Sequence, residues 1–229
     1  LRESLETTQI HSVSGTFPSG TSLISQRPFR SPHHTISDVG LCGGGAHFHP
    51  GEISMAHNGV LFLDELPEFN RNVLETLRQP LEDRFITISR AKYNISLPCS
   101  IMLVAAMNPC PCGYYGEGNR CRCTPGQRAG YIARLSGPMM DRIDIQLWMH
   151  AVDALKLINP PGAESSAAVR ERVIRAREIQ KERFREEGIY TNAAMNNRMI
   201  EKYCPLDQEC KEVLKQTIER MGLSARACM

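Results

Sequence analysis

Apolar and polar residues are arranged along this chain in three different ways. From Gly59 to Asp64 the run Gly-Val-Leu-Phe-Leu-Asp is apolar without interruption and ends in acid. Such a run suits a strand covered on both faces, as in a parallel sheet. Ser100 to Met107 repeats the pattern and closes on Asn108, and Ile143 to Met149 reads as a third strand. Phe85 to Ile88 and Tyr93 to Leu97 instead alternate apolar with polar residues, the period of a half-buried strand. The short gap between them predicts a β-hairpin over about 85–97. Asn70 to Asp83 sets Val73, Leu74, Leu77 and Leu81 at helical spacing, and Arg2 to Val13 reads as the tail of a helix.

Between these elements, Gly15 to Gly51 is rich in Gly, Ser, Pro and His, a composition that favours turns. A loop of that length in a compact domain is more often functional than idle. Asn159-Pro160-Pro161-Gly162 reads as a linker. Beyond it, Ser165 to Glu187 and Asp207 to Met221 read as helices, the second with Asp207 as N-cap and Gly222 just past its end. Ser224 is placed to cap a third. The pattern predicts an α/β core over residues 1–158 and a helical domain over 163–229.

Composition narrows the setting. Hydrophobic residues make up 41% and charged residues 23%, with a net charge of +2, so charge alone points neither to nucleic acid nor to a membrane. The longest apolar run, Ile101 to Met107, is far too short to span a bilayer, and the N-terminus has no signal-peptide core. The nine cysteines are an odd number, and Cys110, Cys112, Cys121 and Cys123 crowd into one loop. That fits a reducing, cytoplasmic setting with one metal site better than a disulfide framework. Cys42, Cys99, Cys204, Cys210 and Cys228 read as ordinary thiols, several of them buried.

Asp64 and Glu65 end a strand of the parallel type. Ligands of open α/β sheets bind beyond the carboxyl ends of the strands. An Asp there can hold the Mg²⁺ of a nucleotide, and a neighbouring Glu can deprotonate the attacking water. A strand that simply stops at a polar turn is the plainer alternative. Asn108 ends the next strand, where an amide can contact a γ-phosphate and the lytic water; an Asn-Pro turn is the plainer reading there. Two such strand ends together favour nucleotide chemistry.

Several stretches together resemble the AAA+ family of magnesium chelatase ATPase subunits and ComM (YifB-like) proteins: FRSPHHTISDVGLCGGG (29–45), PGEISMAHNGVLFLDELPEF (50–69), LRQPLED (77–83), AAMNPCPCG (105–113), RLSGPMMDRID (134–144) and GLSARA (222–227). The cysteine loop and the LSARA ending resemble the ComM branch. The resemblance implies an AAA+ P-loop-type parallel sheet with flanking helices plus a C-terminal helical lid. It also implies a helix-2 insert over about 15–51, the hairpin before Asn108, and homo-oligomeric rings, expected to be hexamers, with ATP and Mg²⁺ between subunits. Under it Asp64 and Glu65 are the Walker B pair, Asn108 is sensor 1, Arg142 is the arginine finger with Arg134 as runner-up, and Arg226 is sensor 2. From spacing alone, Arg142 is as well explained by a local pair with Asp141 or Asp144. The implied function is an ATP-hydrolysing motor remodelling DNA. The alternatives are a chelatase-type subunit driving metal insertion into a tetrapyrrole and a nucleotide-independent zinc-binding scaffold. No G-x-x-x-x-G-K-[ST] loop occurs in the sequence, so the chain by itself is expected to bind and turn over ATP weakly.

Cys110-x-Cys112 and Cys121-x-Cys123 can enclose a tetrahedral Zn²⁺, although the C-x-C spacing is tighter than the common C-x₂-C. Free thiols are the alternative. Arg120, Arg122, Arg128 and Arg134 follow with few acids between them, a pattern compatible with a DNA backbone or with a solvated face. His33, His34, His47 and His49 lack helical spacing and read as insert residues, not ligands.

Overall fold

A computed structural model describes residues 1–17, 20, 22–90, 93–150, 152, 162–222 and 224. They fall into two compact units, Leu1–Gln146 and Leu147–Met229. In chain order the first unit contains α1 (Arg2–Val13), β1 (Phe29–Arg30), α2 (Asp38–Cys42), β2 (Gly43–Gly44), β3 (His49–Pro50), α3 (Glu52–Met55), β4 (Val60–Leu63), α4 (Arg71–Glu75), α5 (Arg78–Asp83), β5 (Phe85–Arg90), β6 (Tyr93–Pro98), β7 (Met102–Ala105), α6 (Pro125–Ile132) and α7 (Gly137–Met140).

The centre is a parallel sheet of order β1-β4-β7. Leu61 and Leu63 of β4 are fully buried on one face, against Leu41, Ile53, Leu66, Val73, Leu77 and Met139. The other face carries Phe29, Met102 and Val104, all exposed, with the Phe29 and Phe62 rings stacked at 6.1 Å. The apolar runs are therefore covered on one face among the described residues, where continuous burial was expected on two. β1 lies inside the stretch read as turns. Its two residues extend the sheet because Gly59 lets the chain at Pro28 come close: Val60 N–H donates to Pro28 O at 2.8 Å.

The helix expected over Asn70 to Asp83 forms as two short pieces. Asn70 caps the first by accepting from Asn72 N–H. Pro80 cannot donate to the Thr76 carbonyl, and its ring would crowd that oxygen in a continuous helix. The chain restarts instead, with Pro80 in the first turn of α5, where a missing N–H costs nothing. The hairpin β5-β6 pairs Phe85 with Pro98 through Arg90 with Tyr93, with Ile86 and Ile88 buried on its inner face. Residues 143–150 form no strand. Ile145, Leu147, Trp148 and Met149 are largely exposed, and an apolar run becomes a strand only where a neighbour takes up its backbone hydrogen bonds.

The second unit is helical: α8 (Ser166–Arg183), α9 (Asn197–Tyr203) and α10 (Gln208–Met221). Ser165, Asn196 and Asp207 cap them, each accepting a backbone N–H. Gly222, at φ 62°, closes α10 in the left-handed conformation that glycine adopts without strain. The core here is small: Phe184 is buried edge-on to Tyr203 (5.2 Å), while Val173, Ile174, Ile179 and Val213 remain exposed. No helix among the described residues is long and apolar enough to cross a membrane. Residues 225–229, and with them Arg226 and Cys228, lie outside the described residues. Of the remaining scattered cysteines, Cys99 is buried, Cys42 half-buried, and Cys204 and Cys210 exposed.

Candidate nucleotide and metal sites

β4 ends at Leu63, so Asp64 and Glu65 stand at the carboxyl end of the sheet's middle strand, both exposed. Asp64 Oδ1 accepts the Glu65 backbone N–H at 2.9 Å, which turns the chain sharply. Glu65 itself sits at φ 54°, ψ 44°, a left-handed conformation uncommon for a residue with a side chain. The turn is clasped to the neighbouring strand: Ala106 N–H donates to Leu63 O (2.9 Å) and Leu66 N–H to Ala106 O (3.0 Å). Asn108 follows two residues later, exposed at the same sheet edge. Asp64, Glu65 and Asn108 are thus brought together by the pairing of β4 with β7.

His34, which by sequence reads as an insert residue, takes part in the site. In the structure its Nδ1 lies 3.1 Å from Glu65 Oε2. The parallel register explains the contact. Arg30 pairs with Leu61, and four residues further on in each segment, past the ends of both strands, His34 meets Glu65. The His34 ring also lies tilted against His33 (4.1 Å between centroids) and meets Phe69 edge-on. A cleft of about 740 Å³ opens beside it, lined among others by Ser37, Asp38, Glu68 and Asn70.

The two arginines have separate partners. Arg134 Nη1 donates to both carboxylate oxygens of Glu68 (2.8 and 2.9 Å), one turn after Glu65. Arg142, whose side chain is 11% exposed, pairs with Glu82 of α5 and donates to Pro138 O, while its Nε is buried without a hydrogen-bond partner. Its partner therefore comes from across the fold, not from the adjacent acids that spacing suggested.

The four loop cysteines converge. Cys110 Sγ is 3.4 Å from Cys112 Sγ and 3.8 Å from Cys121 Sγ; Cys112 and Cys121 are 3.8 Å apart, and all four sulfurs lie within 4.8 Å of one another. Cys110 is buried and the others half-buried. Gly113 N–H donates to Cys110 O (3.0 Å), closing a turn around Pro111 and Cys112. Backbone N–H groups of Tyr114 and Arg122 pull the Cys112 thiol down to about 6, whereas burial pushes Cys123 up to about 11. Thr124 then begins α6 with a capping box to Gln127.

The family pattern described as magnesium chelatase, subunit ChlI, matches residues 1–157, and that of the same subunit's C-terminal region matches 163–229. The chain belongs to the magnesium chelatase ChlI family. Within this AAA+-like family it is 48% identical over 203 residues to competence protein ComM of Haemophilus influenzae. It is 47% identical over 210 residues to YifB of Salmonella typhimurium. Each alignment covers 88% of this chain and 39% of the relative, so the chain spans about two fifths of the length of the ChlI-family relatives it matches.

Proposed function

We propose that this chain carries the water-activating part of an ATP-hydrolysing AAA+ ring site. The observation that carries the reading is the junction of β4 and β7, which puts an exposed carboxylate pair and an exposed amide at one sheet edge. The donor set fits a magnesium nucleotide. Asp64 offers a free carboxylate oxygen to a hard cation, Glu65 offers a base for water, and Asn108 offers an amide to orient it. When bound, Mg²⁺ neutralises charge developing on the phosphates. Arg142, as the arginine finger of a homo-oligomeric ring, would act on a neighbouring subunit's nucleotide after leaving Glu82. Arg226 is the sensor 2 candidate. The phosphate cradle is not supplied by these residues.

DNA is the proposed substrate of the motor, a reading favoured by the 48% identity to a competence protein. Insertion of a metal into a tetrapyrrole is the second reading, favoured by the family description itself. The deciding measurement is ATP hydrolysis by the intact protein with and without branched DNA, beside Glu65→Gln. Turnover stimulated by DNA and abolished by the variant supports the motor. Turnover indifferent to DNA favours the chelatase-like reading, and a Glu65→Gln variant as active as the parent removes Glu65 as the base.

A further inference from the structure

The loop that follows Asn108 has a feature nucleotide chemistry does not need. Four thiols from two C-x-C pairs occupy one small volume, although one pair lies in the turn at Cys110–Gly113 and the other in the irregular stretch just before α6. An isolated group of thiols has little reason to gather. Sulfur–sulfur contacts are weak, and ionised thiolates repel one another.

A divalent ion at their centre resolves this. With metal–sulfur bonds of about 2.3 Å, the edges of a regular S₄ tetrahedron are about 3.8 Å. The sulfurs of Cys110, Cys112 and Cys121 stand 3.4, 3.8 and 3.8 Å apart, and every pair of the four lies inside 4.8 Å. That spacing matches one ion and is too close-set to surround a cluster of several irons. It is also far longer than the roughly 2.05 Å of a disulfide. Tetrahedral all-thiolate coordination of a single ion is the preference of zinc.

The surroundings suit the charge such a centre would carry. Four thiolates around Zn²⁺ leave two net negative charges, after the remaining thiol protons pass to solvent. Backbone N–H groups of Tyr114 and Arg122 point at Cys112, and those of Cys112 and Tyr115 at Cys110. Arg128 donates to Cys123 O and stands 4.4 Å over the Tyr115 ring, and Arg120 stands 4.1 Å over Tyr114. Outer donors and cations of this kind orient metal ligands and raise affinity.

We propose that Cys110, Cys112, Cys121 and Cys123 form a closed, structural zinc site. It staples the loop between β7 and α6 and presses its first turn against Asn108, whose amide lies about 4 Å from where a side chain on Gly113 would begin. The site itself stands without the nucleotide reading; only its consequence for Asn108 rests on it.

The test is metal analysis of the intact protein, purified reduced and without chelators, followed by exchange of the metal for Co²⁺. The expected result is about one zinc per chain and the visible absorption bands of tetrahedral cobalt thiolate. Cys112→Ser and Cys123→Ser should each lower zinc retention at least tenfold, while Cys210→Ser, outside the cluster, leaves one zinc in place. Circular dichroism of each variant separates loss of the site from loss of the fold. A folded, fully reduced protein that holds no metal and gives no cobalt bands overturns the proposal. So does iron in place of zinc, or mass loss corresponding to two disulfides in a freshly reduced sample.

Discussion

His34 Nδ1 lies 3.1 Å from Glu65 Oε2, joining a residue of the glycine- and histidine-rich segment to the proposed catalytic base. Glu65 is exposed and its backbone is left-handed, so His34 is the contact that gives its carboxylate a direction. A base that is misaimed by even 1 Å can lose about 10²-fold in rate. His34→Ala is therefore expected to lower kcat for ATP about tenfold in the intact protein and leave KM little changed. His34→Asn, which keeps a polar group in reach, should recover most of the loss. Equal falls in kcat for both variants, or a change confined to KM, would show that His34 does not aim the base.

Arg142 and Glu82 make a second long-range pair. Only 11% of the arginine side chain is exposed, and its Nε already lacks a partner. Removing the carboxylate leaves a largely buried guanidinium short of acceptors, which costs about 1–3 kcal/mol. Glu82→Ala should shift the denaturant midpoint accordingly, and Glu82→Gln, whose amide oxygen still accepts, should cost less. An Ala variant as stable as the parent would mean the pair contributes nothing in solution.

These two contacts mark where the sequence was legible and where it was not. Continuous apolar runs identified β4 and β7, because burial on the core face constrains every second residue and the other face stayed apolar. Alternation identified the hairpin, and the Asp207 and Gly222 caps bounded α10 closely. The placement of Asp64, Glu65 and Asn108 at one sheet edge was legible because all three follow the ends of β4 and β7 within three residues. His34 was not. Its role depends on the pairing of β1, a two-residue strand too short to leave any period. Pro80 is visible in the sequence, and it explains the split of the 70–83 helix. Residues 143–150 carry the apolar content of a strand but join no sheet among the described residues, which composition alone cannot reveal.

Gly59 tests the short strand directly. A Cβ built there would lie 2.0 Å from Pro28 O, and the obstructing atoms are backbone, so neither side can yield easily. Gly59→Ala should cost about 3 kcal/mol or more by forcing β1 off β4, roughly a 6–12 °C fall in Tm for a chain of this size. Gly137→Ala, where nothing lies within 4 Å, is the control and should be neutral or slightly stabilising. Similar Tm values for the two variants would deny β1 its place in the sheet.

His57 makes the first unit sensitive to mild acid. It is buried; its Nδ1 accepts the Ser100 backbone N–H at 3.0 Å, and its Nε2 faces Glu6 Oε2 at 3.4 Å. Burial holds its pKa below the ordinary 6.5, and the nearby carboxylates of Glu6 and Glu3 offset this only in part. Protonating Nδ1 would also set a donor against the Ser100 N–H. The unfolded chain therefore takes up the proton more readily than the folded one, and stability rises with pH. The contribution is complete above about pH 6.5 and is lost as pH falls through that value towards the lower folded-state pKa. His11, whose pKa burial also lowers, adds a slope of the same sign. His57→Gln should flatten the decline of unfolding free energy between about pH 6.5 and 5 without abolishing it. A decline of unchanged steepness in the variant would place the acid sensitivity elsewhere.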